Sequence, residues 1–430
     1  MSFKIVGLAL AMTVAAAQAQ AQNTPCDSTA SFKKVVSLDQ AVQLATAADL
    51  RPEIAKAEVS AARSERAIAA LRPADTLSLD MEDFPGIGRA SNIDNLQITG
   101  RFSRIWERGG KMDARLALAE SGIGVAEAMF SAANFEIRSE IEILYAEAAL
   151  LERRVGLACD KVAIAHEFET SVNKRVEAAR DPLLAGAKAT SERLQAEAEV
   201  RHYDAKAQNL RDALGAYWQR QTDFQDDFQI DPDYLATQRP SQNVTFADLY
   251  SPAFDRLDAE RDQTLAQIDL ERTKAVPDVT WNVGVRKFGY QEDLAILGGV
   301  SVPLGTRQRS SASVAKAHAD QRRIDVERQA LEQQLRRQAA EYRRQARNAA
   351  EEISEIDDLL IPAATQAVTL AQDGYDQGAF SYLDIVDAQR SVAALREERL
   401  THLRTYILNT TALARLSPTN GLTTMREEIQ

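Results

Sequence analysis

The sequence predicts a mainly α-helical protein with a small β part, built from long antiparallel coiled-coil helices and two β-hairpins. Three observations predict this fold class: alanine-rich seams with coiled-coil spacing, short segments with strand periodicity, and an order of parts that occurs twice. Of the 430 residues, 45% are hydrophobic but only 6% are aromatic. This composition suits long helices that pack through small side chains better than one large globular core.

The same order of parts, helix, hairpin, long helix and helix, occurs in both halves of the chain. We place the first repeat at residues 22–220, with a hairpin at 75–106, and the second at residues 247–417, with a hairpin at 278–304. Residues 221–246 lack helical periodicity and are predicted to be an irregular connector, and residues 418–430 form a C-terminal tail. Internal repetition on this scale predicts two copies of one supersecondary unit.

The N-terminus has the features of a secretory signal peptide. Lys4 precedes an apolar run from Ile5 to Ala17, and cleavage options follow near Ala19 and Ala21. This run is too short for a spanning helix, so we assign residues 1–21 to a signal peptide and expect the mature protein outside the cytoplasm.

Two cysteines, Cys26 and Cys159, lie in this exported chain, where oxidation is allowed. A disulfide between them is one option, and two unrelated thiols are the other. A lipid on Cys26 is not favoured, because "NTP" precedes it instead of apolar and small residues.

The long helices carry narrow seams of apolar or small residues at alternating steps of three and four. One seam runs from Leu116 to Val162 and the other from Leu331 to Leu360. Seams of this kind are typical of coiled-coil packing. A helix from Lys111 to near Lys174 would be roughly 95 Å long, a length that suits a tube.

Both hairpins alternate apolar and polar residues with a period of two. Each predicted strand has roughly the nine to eleven residues that a tilted strand needs to cross a bilayer. In the second hairpin we expect Trp281 and its apolar neighbours to face lipid, and the polar set to face water. The polar set is Thr280, Asn282, Gly284 and Arg286; the alternating apolar positions of the first hairpin include Leu77, Leu79, Met81, Ile98 and Phe102.

Four strands cannot close a transmembrane barrel, and open strand edges are not tolerated in lipid. Since such barrels begin at about eight strands, the chain must share strands with copies of itself. Two copies give eight strands and three give twelve, and a lumen wide enough to continue a helical tube favours three. The alternative is a pair of soluble hairpins that cap a coiled coil. Aromatic residues near the strand ends are expected at the membrane interfaces: Phe84, Trp106, Trp281, Phe288 and Tyr290.

Several stretches resemble one known family along nearly the whole mature chain. They are "RPEIAKAEVSAARSERAIAALRPADTLSLDMEDFPG", "RIWERGGKMDAR" and "YDQGAFSYLDIVDAQRSVAALREERL". They resemble outer-membrane efflux proteins of the TolC family, and the first two resemble its heavy-metal, CzcC- and CusC-like, branch.

The resemblance implies a homotrimer with a shared 12-stranded transmembrane β-barrel in the outer membrane of a Gram-negative bacterium and an α-barrel in the periplasm. It further implies that the trimer docks on a periplasmic adaptor and an inner-membrane transporter of the resistance-nodulation-division class. Such a duct exports heavy-metal cations such as cobalt, zinc and cadmium, or copper and silver, without a cofactor and without enzymatic chemistry.

Other functions remain open. The same architecture could serve drug or organic-compound efflux or type I secretion, and a periplasmic adaptor or a structural coiled-coil protein is the alternative of another class. A net charge of −12 argues against a nucleic-acid partner. The sequence contains no phosphate-binding loop, nucleophile elbow or zincin motif, so an enzyme is not expected.

In a passive channel the sites are constrictions, which we expect at the turns between the long helices. Carboxylates facing the pore would form a ring that favours cations. We expect Asp384 or Asp387 to form such a ring, with Arg180 as partner in a lock between protomers; the alternative is that these acids only complement helix starts. The constriction candidates are Arg180, Asp181, Asp376, Asp384 and Asp387, and the adaptor-docking candidates are Ala179, Arg180, Gly378 and Ala379.

The two turns differ in sequence. The second keeps a glycine in "DQGAFS", whereas the first has Arg180-Asp181 where the glycine is expected. The four histidines, His166, His202, His318 and His402, are scattered singly without metal-site spacing, so no metal site is expected.

Overall fold

The structure is a computed structural model that describes residues 26, 34–83, 86–88, 95–218, 228–244, 249–289 and 293–416. The predicted signal peptide and C-terminal tail lie outside these residues. The described chain is mainly helical and has one four-stranded and one two-stranded sheet. The predicted fold class is confirmed at this level.

The helices and strands follow one another in an order that occurs twice. The first set is β1 (Lys34–Val36), α1 (Leu38–Ala48), α2 (Arg51–Ala69), β2 (Thr76–Glu82), β3 (Gln97–Trp106), α3 (Lys111–Glu177) and α4 (Leu183–Gly215). The second is β4 (Phe228–Ile230), α5 (Tyr234–Thr237), α6 (Pro252–Thr273), β5 (Val279–Phe288), β6 (Leu294–Ser301), α7 (Thr306–Glu355), α8 (Ile361–Asp376) and α9 (Tyr382–Ala414). The exact boundaries of the two repeats stay a prediction.

The chain divides into two compact units. The smaller unit comprises Met1–Lys34, Leu151–Asn209 and Ala363–Glu397. The larger unit comprises Val35–Leu150, Leu210–Pro362 and Glu398–Gln430, and it contains the four-stranded sheet. The two turns that join α3 to α4 and α8 to α9 belong to the smaller unit.

The beginning of the larger unit is fixed by local capping. Ser37 caps α1 through a capping box, in which the Ser37 hydroxyl and the Gln40 side chain each accept a backbone N–H of the other residue. Arg51, at the start of α2, donates to both Asp49 and Glu140, with 2.7 Å from its Nη2 to Oε2 of Glu140. These hydrogen bonds lower the pKa of Asp49 and of Glu140, and they join α2 to α3.

A hydrophobic core in the larger unit surrounds the short sheet of β1 and β4. Tyr145 of α3 is fully buried there; its hydroxyl donates to the Val36 carbonyl over 2.8 Å and accepts the Asp231 N–H over 3.1 Å. Because both polar functions of this phenol are satisfied, Tyr145 can be buried without an unpaired polar atom and ties the two strands to α3.

The predicted irregular connector is only partly irregular. Residues 219–227 and 245–248 lie outside the described residues, but β4 and α5 form within the segment. The prediction was wrong for these residues because β4 is three residues long and is stabilised by its pairing with β1, a partner almost two hundred residues away in sequence. No local period reveals such a strand.

The second long helix contains a break that the seam from Leu331 to Leu360 did not predict. Ile356–Leu360 forms a π-helical turn between α7 and α8. Pro362, two residues after the turn, has no N–H, so the α-helical hydrogen bond to the Asp358 carbonyl cannot form. In the first repeat, α3 continues for 67 residues without such a turn.

Helix α3 also contains an 18-residue window with a mean hydropathy of 1.2, enough by length and composition for a membrane span. Because no run of eighteen apolar residues follows the signal peptide, the sequence predicts no helical membrane span there. Charged contacts argue that this helix lies in water: Arg63 and Arg66 of α2 reach Glu127 and Glu120 of α3.

Candidate functional site

The four-stranded sheet joins the two predicted hairpins into one antiparallel layer. Its order is β2-β3-β5-β6, so the two hairpins meet through β3 and β5. The β3–β5 pairing extends over ten residue pairs, from Gln97 opposite Phe288 to Trp106 opposite Val279. Within the described residues, the outer strands β2 and β6 each pair on one side only, so the sheet has two open edges.

The close approach of β3 and β5 depends on a glycine. A Cβ atom at Gly284 would lie 2.6 Å from the backbone oxygen of Gly100, which is shorter than any ordinary contact. A larger residue at position 284 would push β3 and β5 apart, so the pairing of the two hairpins requires glycine at this position.

One face of the sheet is largely apolar across all four strands, although Arg104, opposite Trp281, and Lys287, opposite Leu294, also lie on it. Because directly paired residues of an antiparallel sheet point to the same side, the register groups its side chains. The members are Leu77, Leu79, Met81, Ile98, Phe102, Val279, Trp281, Val283, Val285, Leu294, Ile296 and Val300. Many are exposed, with Leu77 at 83% and Ile296 at 84% of full exposure. A largely apolar exposed face of this kind marks an interaction surface.

The opposite face of the sheet is polar and internally hydrogen bonded. Arg286 donates from Nε to the Thr99 hydroxyl over 2.9 Å and from Nη1 to Oε1 of Gln97 over 3.2 Å. Its Nη2 also lies 3.2 Å from Oε2 of Glu82. Thr99 is completely buried by these neighbours. The predicted polar set of the second hairpin, Thr280, Asn282, Gly284 and Arg286, lies on this face.

The aromatic residues expected at membrane interfaces do not all lie on the apolar face. Trp106 and Trp281 do; Trp281 packs against Phe102 with 5.8 Å between ring centroids. Phe288 is paired with Gln97 and therefore lies on the polar face. Phe84 and Tyr290 lie outside the described residues. The interfacial role of these residues stays a prediction.

In the smaller unit, the turns after α3 and α8 have the same backbone hydrogen bonds. In the first turn the Arg180 N–H donates to the Arg175 carbonyl over 2.8 Å; in the second the Ala379 N–H donates to the Gly374 carbonyl over 2.8 Å. Each bond spans five residues, as in a Schellman motif. The residue just before the donor is left-handed in both turns, with φ of 53° at Ala179 and 74° at Gly378.

This geometry corrects the sequence comparison of the two turns. The residue equivalent to Gly378 is Ala179, and not Arg180-Asp181 as the sequence suggested. The two backbones adopt one conformation although the first has no glycine at that position. An alanine is tolerated there because the motif satisfies the last carbonyls of the helix.

The side chains of the two turns are different. In the first, Arg175 and Asp181 form a two-pronged ion pair, with 2.9 and 3.1 Å between their atoms, and Asp181 raises the pKa of Arg175. At the equivalent positions of the second turn, the Phe380 ring covers Gly374, where a Cβ atom would lie 2.1 Å from the ring. One turn is therefore closed by charge and the other by apolar packing.

The predicted constriction acids already have partners within the protomer. Asp384 accepts the backbone N–H of Ser381 over 2.8 Å and its hydroxyl over 2.7 Å, which lowers the pKa of this carboxyl. Asp387 lies 3.1 Å from Arg390, which also contacts Glu192 of α4. Asp376 and Arg180 are exposed. Asp384 thus completes the N-terminal cap of α9, as the alternative for this residue predicted.

Ion pairs also join the helices of the smaller unit. Lys161 of α3 contacts Glu199 of α4 at 3.1 Å and Glu397 of α9 at 2.6 Å. Burial lowers the pKa of Lys161, but the hydrogen bonds to Glu397 and Glu199 outweigh it, so the pKa is raised overall. The ammonium group therefore stays charged and links three helices.

Comparison with known proteins supports this architecture. No family model matches the chain. The cobalt-zinc-cadmium resistance protein CzcC of Cupriavidus metallidurans is 26% identical over 363 residues, which are 84% of this chain and 85% of CzcC. A structure of CusC, described with transmembrane channel formation, superposes with a TM-score of 0.68 at 14% identity and covers 90% of this chain and 93% of CusC. The MtrE outer-membrane channel of Neisseria gonorrhoeae superposes with a TM-score of 0.66 at 16% identity over 88% of both chains.

The chain has the fold of the TolC-family outer-membrane channels. The predicted resemblance is confirmed. MtrE is an outer-membrane channel, and the outer membrane is the location that the resemblance implies for this chain.

The two cysteines of the chain are bonded to each other. Cys26 and Cys159 form a disulfide with 5.6 Å between their Cα atoms, and the described residues contain no free cysteine. In the described part of the chain no group of three or more His, Cys, Asp and Glu residues is arranged to hold a metal ion. His402 instead contacts Glu352 at 2.5 Å through Nδ1.

Some residues of both sites escaped the sequence reasoning. The apolar side chains of the turns are exposed, among them Leu183 at 82% and Phe380 at 52%. The predicted constriction and docking sites do not include them, although an apolar residue directly after a helix-ending turn is a signal that the sequence displays. The Arg175–Asp181 pair depends on the five-residue bond of the turn, which the sequence does not display.

Proposed function

We propose that this chain is the outer-membrane exit duct of a tripartite efflux system and that its substrates are heavy-metal cations. The observation that carries the channel function is the exposed apolar face of the four-stranded sheet, combined with the open edges of β2 and β6. In lipid, unpaired strand edges cost several kcal/mol per unsatisfied group, so the sheet must be completed.

Three copies complete it in our proposal. Each protomer supplies four strands, and a homotrimer gives a barrel of about twelve, in which β2 of one copy pairs with β6 of the next. The apolar face then contacts outer-membrane lipid, and the polar face with Arg286, Thr99 and Glu82 lines the lumen. The long helices continue the duct into the periplasm.

Assembly is tested by extraction of the protein from outer membranes. We expect a heat-modifiable species with three times the mass of the chain, and crosslinks between cysteines introduced in β2 and β6 of separately tagged copies. A soluble periplasmic species would contradict the proposal and favour an adaptor or a structural coiled-coil protein.

The proposal that the substrates are metal cations rests on the similarity to CzcC, which is named a cobalt-zinc-cadmium resistance protein. We expect deletion of the gene to lower the tolerance of its host to these cations, and the wild-type gene to restore it. Unchanged metal tolerance with a new sensitivity to drugs or organic compounds would redirect the proposal to drug efflux, and a lost secreted protein would redirect it to type I secretion.

We place the partners at the two turns of the smaller unit. The periplasmic adaptor would contact Ala179, Arg180, Gly378 and Ala379, and the exposed Leu183 and Phe380 beside them add apolar area. An inner-membrane transporter of the resistance-nodulation-division class would drive export. Leu183→Asp combined with Phe380→Asp should abolish copurification with the adaptor and leave the trimer intact; retained copurification would contradict this placement.

The constriction remains part of the proposal. Asp387 is the stronger candidate for a pore-facing ring because its side chain is 60% exposed. The Asp384 carboxylate, in contrast, accepts hydrogen bonds from Ser381. Alanine at Asp384 and at Asp387 should raise single-channel conductance or weaken cation preference in planar bilayers. Asp384→Asn and Asp387→Asn serve as isosteric controls that remove the charge alone. Unchanged conductance and selectivity in all four variants would contradict the ring, and an unchanged Arg180→Ala channel would contradict the lock between protomers.

A further inference from the structure

A cavity of about 390 Å³ lies among α3, α6, α7 and α9 in the larger unit. Its wall combines apolar side chains, among them Phe135, Pro252 and Leu416, with a smaller number of polar ones. Its volume lies in the range of about 300–1,000 Å³ that is typical of small-molecule pockets. The wall contains no residue of the sheet or of the two helix turns on which the proposed function depends.

Arg415, directly after α9, brings a positive charge to this wall that no carboxylate neutralises. Within the described residues its Nε atom is buried and has no hydrogen-bond partner, and the guanidinium forms no ion pair. Glu142 and Glu140 act on it electrostatically. However, Glu142 lies 2.8 Å from Arg138, and Glu140 lies 2.7 Å from Arg51, so both acids already have partners.

Burial makes this charge costly for the folded protein. It lowers the pKa of Arg415, although the charges of Glu142, Tyr342 and Glu140 act in the opposite direction. Because an arginine stays protonated in proteins, the cost cannot be avoided by loss of the proton. An anion bound beside the guanidinium would offset it.

Three further polar side chains of the wall form no hydrogen bond with any residue that the structure describes. Ser139 of α3 is only 8% exposed, and Gln338 and Tyr342 of α7 are partly buried. Buried polar groups are hydrogen bonded in the great majority of cases, so such a group on a cavity wall needs an explanation. These side chains supply hydrogen-bond donors on the same wall as Arg415.

The other charged residues of the wall leave Arg415 as the dominant charge. Arg256 is paired with Glu260 at 2.7 Å. Glu136 is exposed, so water and salt screen its carboxylate, whereas the burial of Arg415 keeps its field strong inside the cavity. A single buried positive charge beside apolar walls suits a monovalent anion with an apolar body better than a phosphate.

The wall is also held in place without a ligand. The Leu416 carbonyl accepts the Tyr250 N–H over 2.8 Å, which ties the end of α9 to the segment before α6. Leu416 further packs in a buried cluster with Phe254 and Leu335. A site that is already formed loses little conformational entropy when a ligand binds.

We propose that this cavity binds a small organic carboxylate. The planar guanidinium of Arg415 binds the two carboxylate oxygens as a fork, and the Ser139 hydroxyl donates to one of them. The apolar body of the acid packs against Phe135 and Leu416. This site is additional to the proposed export function and does not depend on it.

The test uses benzoate as the probe and benzamide as its uncharged counterpart of nearly the same shape. The protein is the full chain extracted from outer membranes in detergent. We expect calorimetric titration to show one benzoate site per chain and no binding of benzamide at the same concentrations. Benzoate should also raise the midpoint of thermal unfolding. The absence of saturable benzoate binding, or equal binding of benzamide, would overturn the proposal.

Variants of the wall locate the site. Arg415→Gln should weaken benzoate binding by more than tenfold, and Ser139→Ala should weaken it by about tenfold, the effect of one hydrogen bond to a charged group. Arg404→Gln is the matched control, because it removes the same charge from α9 where Arg404 contacts Glu147, outside the cavity. It should bind benzoate like the wild type. Undiminished binding in Arg415→Gln would overturn the proposal.

The stability of the variants without benzoate separates a ligand site from a structural role. Removal of an unpaired buried charge should leave the unfolding midpoint of Arg415→Gln unchanged or raise it. A lowered midpoint, together with no benzoate binding in the wild type, would show that Arg415 only stabilises the end of α9. Dissociation of Arg415→Gln oligomers, together with no benzoate binding in the wild type, would show that a neighbouring copy supplies the carboxylate and would overturn the small acid. None of these readouts involves metal export.

Discussion

Ala179 and Gly378 occupy the same left-handed position in the two helix turns of the smaller unit, with φ of 53° and 74°. Both turns carry the same five-residue backbone bond, and one position has a Cβ atom where the other has none. The two repeats therefore share the backbone conformation of the turn. Only the second has glycine, the residue that adopts a left-handed conformation most easily, at this position. This difference is open to direct measurement.

Exchange of the residues at the left-handed positions should have opposite effects. We expect Ala179→Gly to raise the stability of the turn by about 0.5–1 kcal/mol, since it removes the contact of Cβ with the following carbonyl. Gly378→Ala should lower it by a similar amount. Thermal unfolding followed by circular dichroism measures both variants. A destabilising Ala179→Gly would mean that residue 179 is not left-handed.

The contact of Phe380 with Gly374 predicts a pair of coupled variants. Gly374→Ala should displace the ring, because its Cβ would lie 2.1 Å from a ring carbon, and should open the turn to chymotrypsin, which cleaves after aromatic residues such as Tyr375 and Tyr382. Adding Phe380→Ala to this variant should relieve much of the effect, since the clashing partner is gone. Gly186→Ala is a control in α4, where the nearest atom is the flexible Asn173 side chain. Equal chymotrypsin cleavage after Tyr375 and Tyr382 in the single and double variants would contradict the coupling.

Neighbouring positions of β2 test the two faces of the sheet. Leu79 lies on the apolar face and Asp80 on the polar face. Leu79→Lys should cost about 2–4 kcal/mol near the middle of a bilayer and reduce the amount of trimer in the outer membrane. Asp80→Lys carries the same new side chain and should assemble normally, with altered ion selectivity. Equal assembly of the two variants would contradict the lipid-facing assignment.

Acid should weaken the junction of α2 with α3. Arg51 lowers the pKa of Asp49 and Glu140 in the folded protein, from ordinary values of 3.8 and 4.5. The ionised carboxylates therefore stabilise the fold above these ordinary values, and this stabilisation is lost as the pH falls through the lowered values of the folded state. Unfolding temperatures measured between roughly pH 5 and pH 2 should fall more steeply for wild type than for Arg51→Met. Parallel curves would show that Arg51 is not the cause.

Local patterns in the sequence predicted much of the fold. The alternation around Trp281 and Leu79 has a period of two, and the register places those residues on the apolar face as expected. The start of α3 at Lys111 also agrees with the prediction. These features were predictable because side-chain periodicity is a property of neighbouring residues.

Features that depend on distant partners were less predictable. Phe288 lies on the polar face because the register of β3 and β5 places it opposite Gln97. The π turn at Ile356–Leu360 interrupts a seam whose apolar spacing continues across it. The pair of Asp181 with Arg175 depends on the turn that brings these two residues together. The role of Asp181 in a constriction stays a prediction.

The sequence by itself determined the two repeats, the amphipathic hairpins, a number of strands too small to close a barrel, and the resemblance to the TolC family. Each of these follows from the order of the residues or from the period of their side chains. Only the tertiary structure decided that β3 pairs with β5, that β1 pairs with β4 around Tyr145, that Cys26 bonds Cys159 and that Ala179 is left-handed. The physical reason is that strand pairing, disulfide bonding and a strained backbone angle each depend on contacts formed after the chain has folded, and such contacts leave no periodic trace in the sequence.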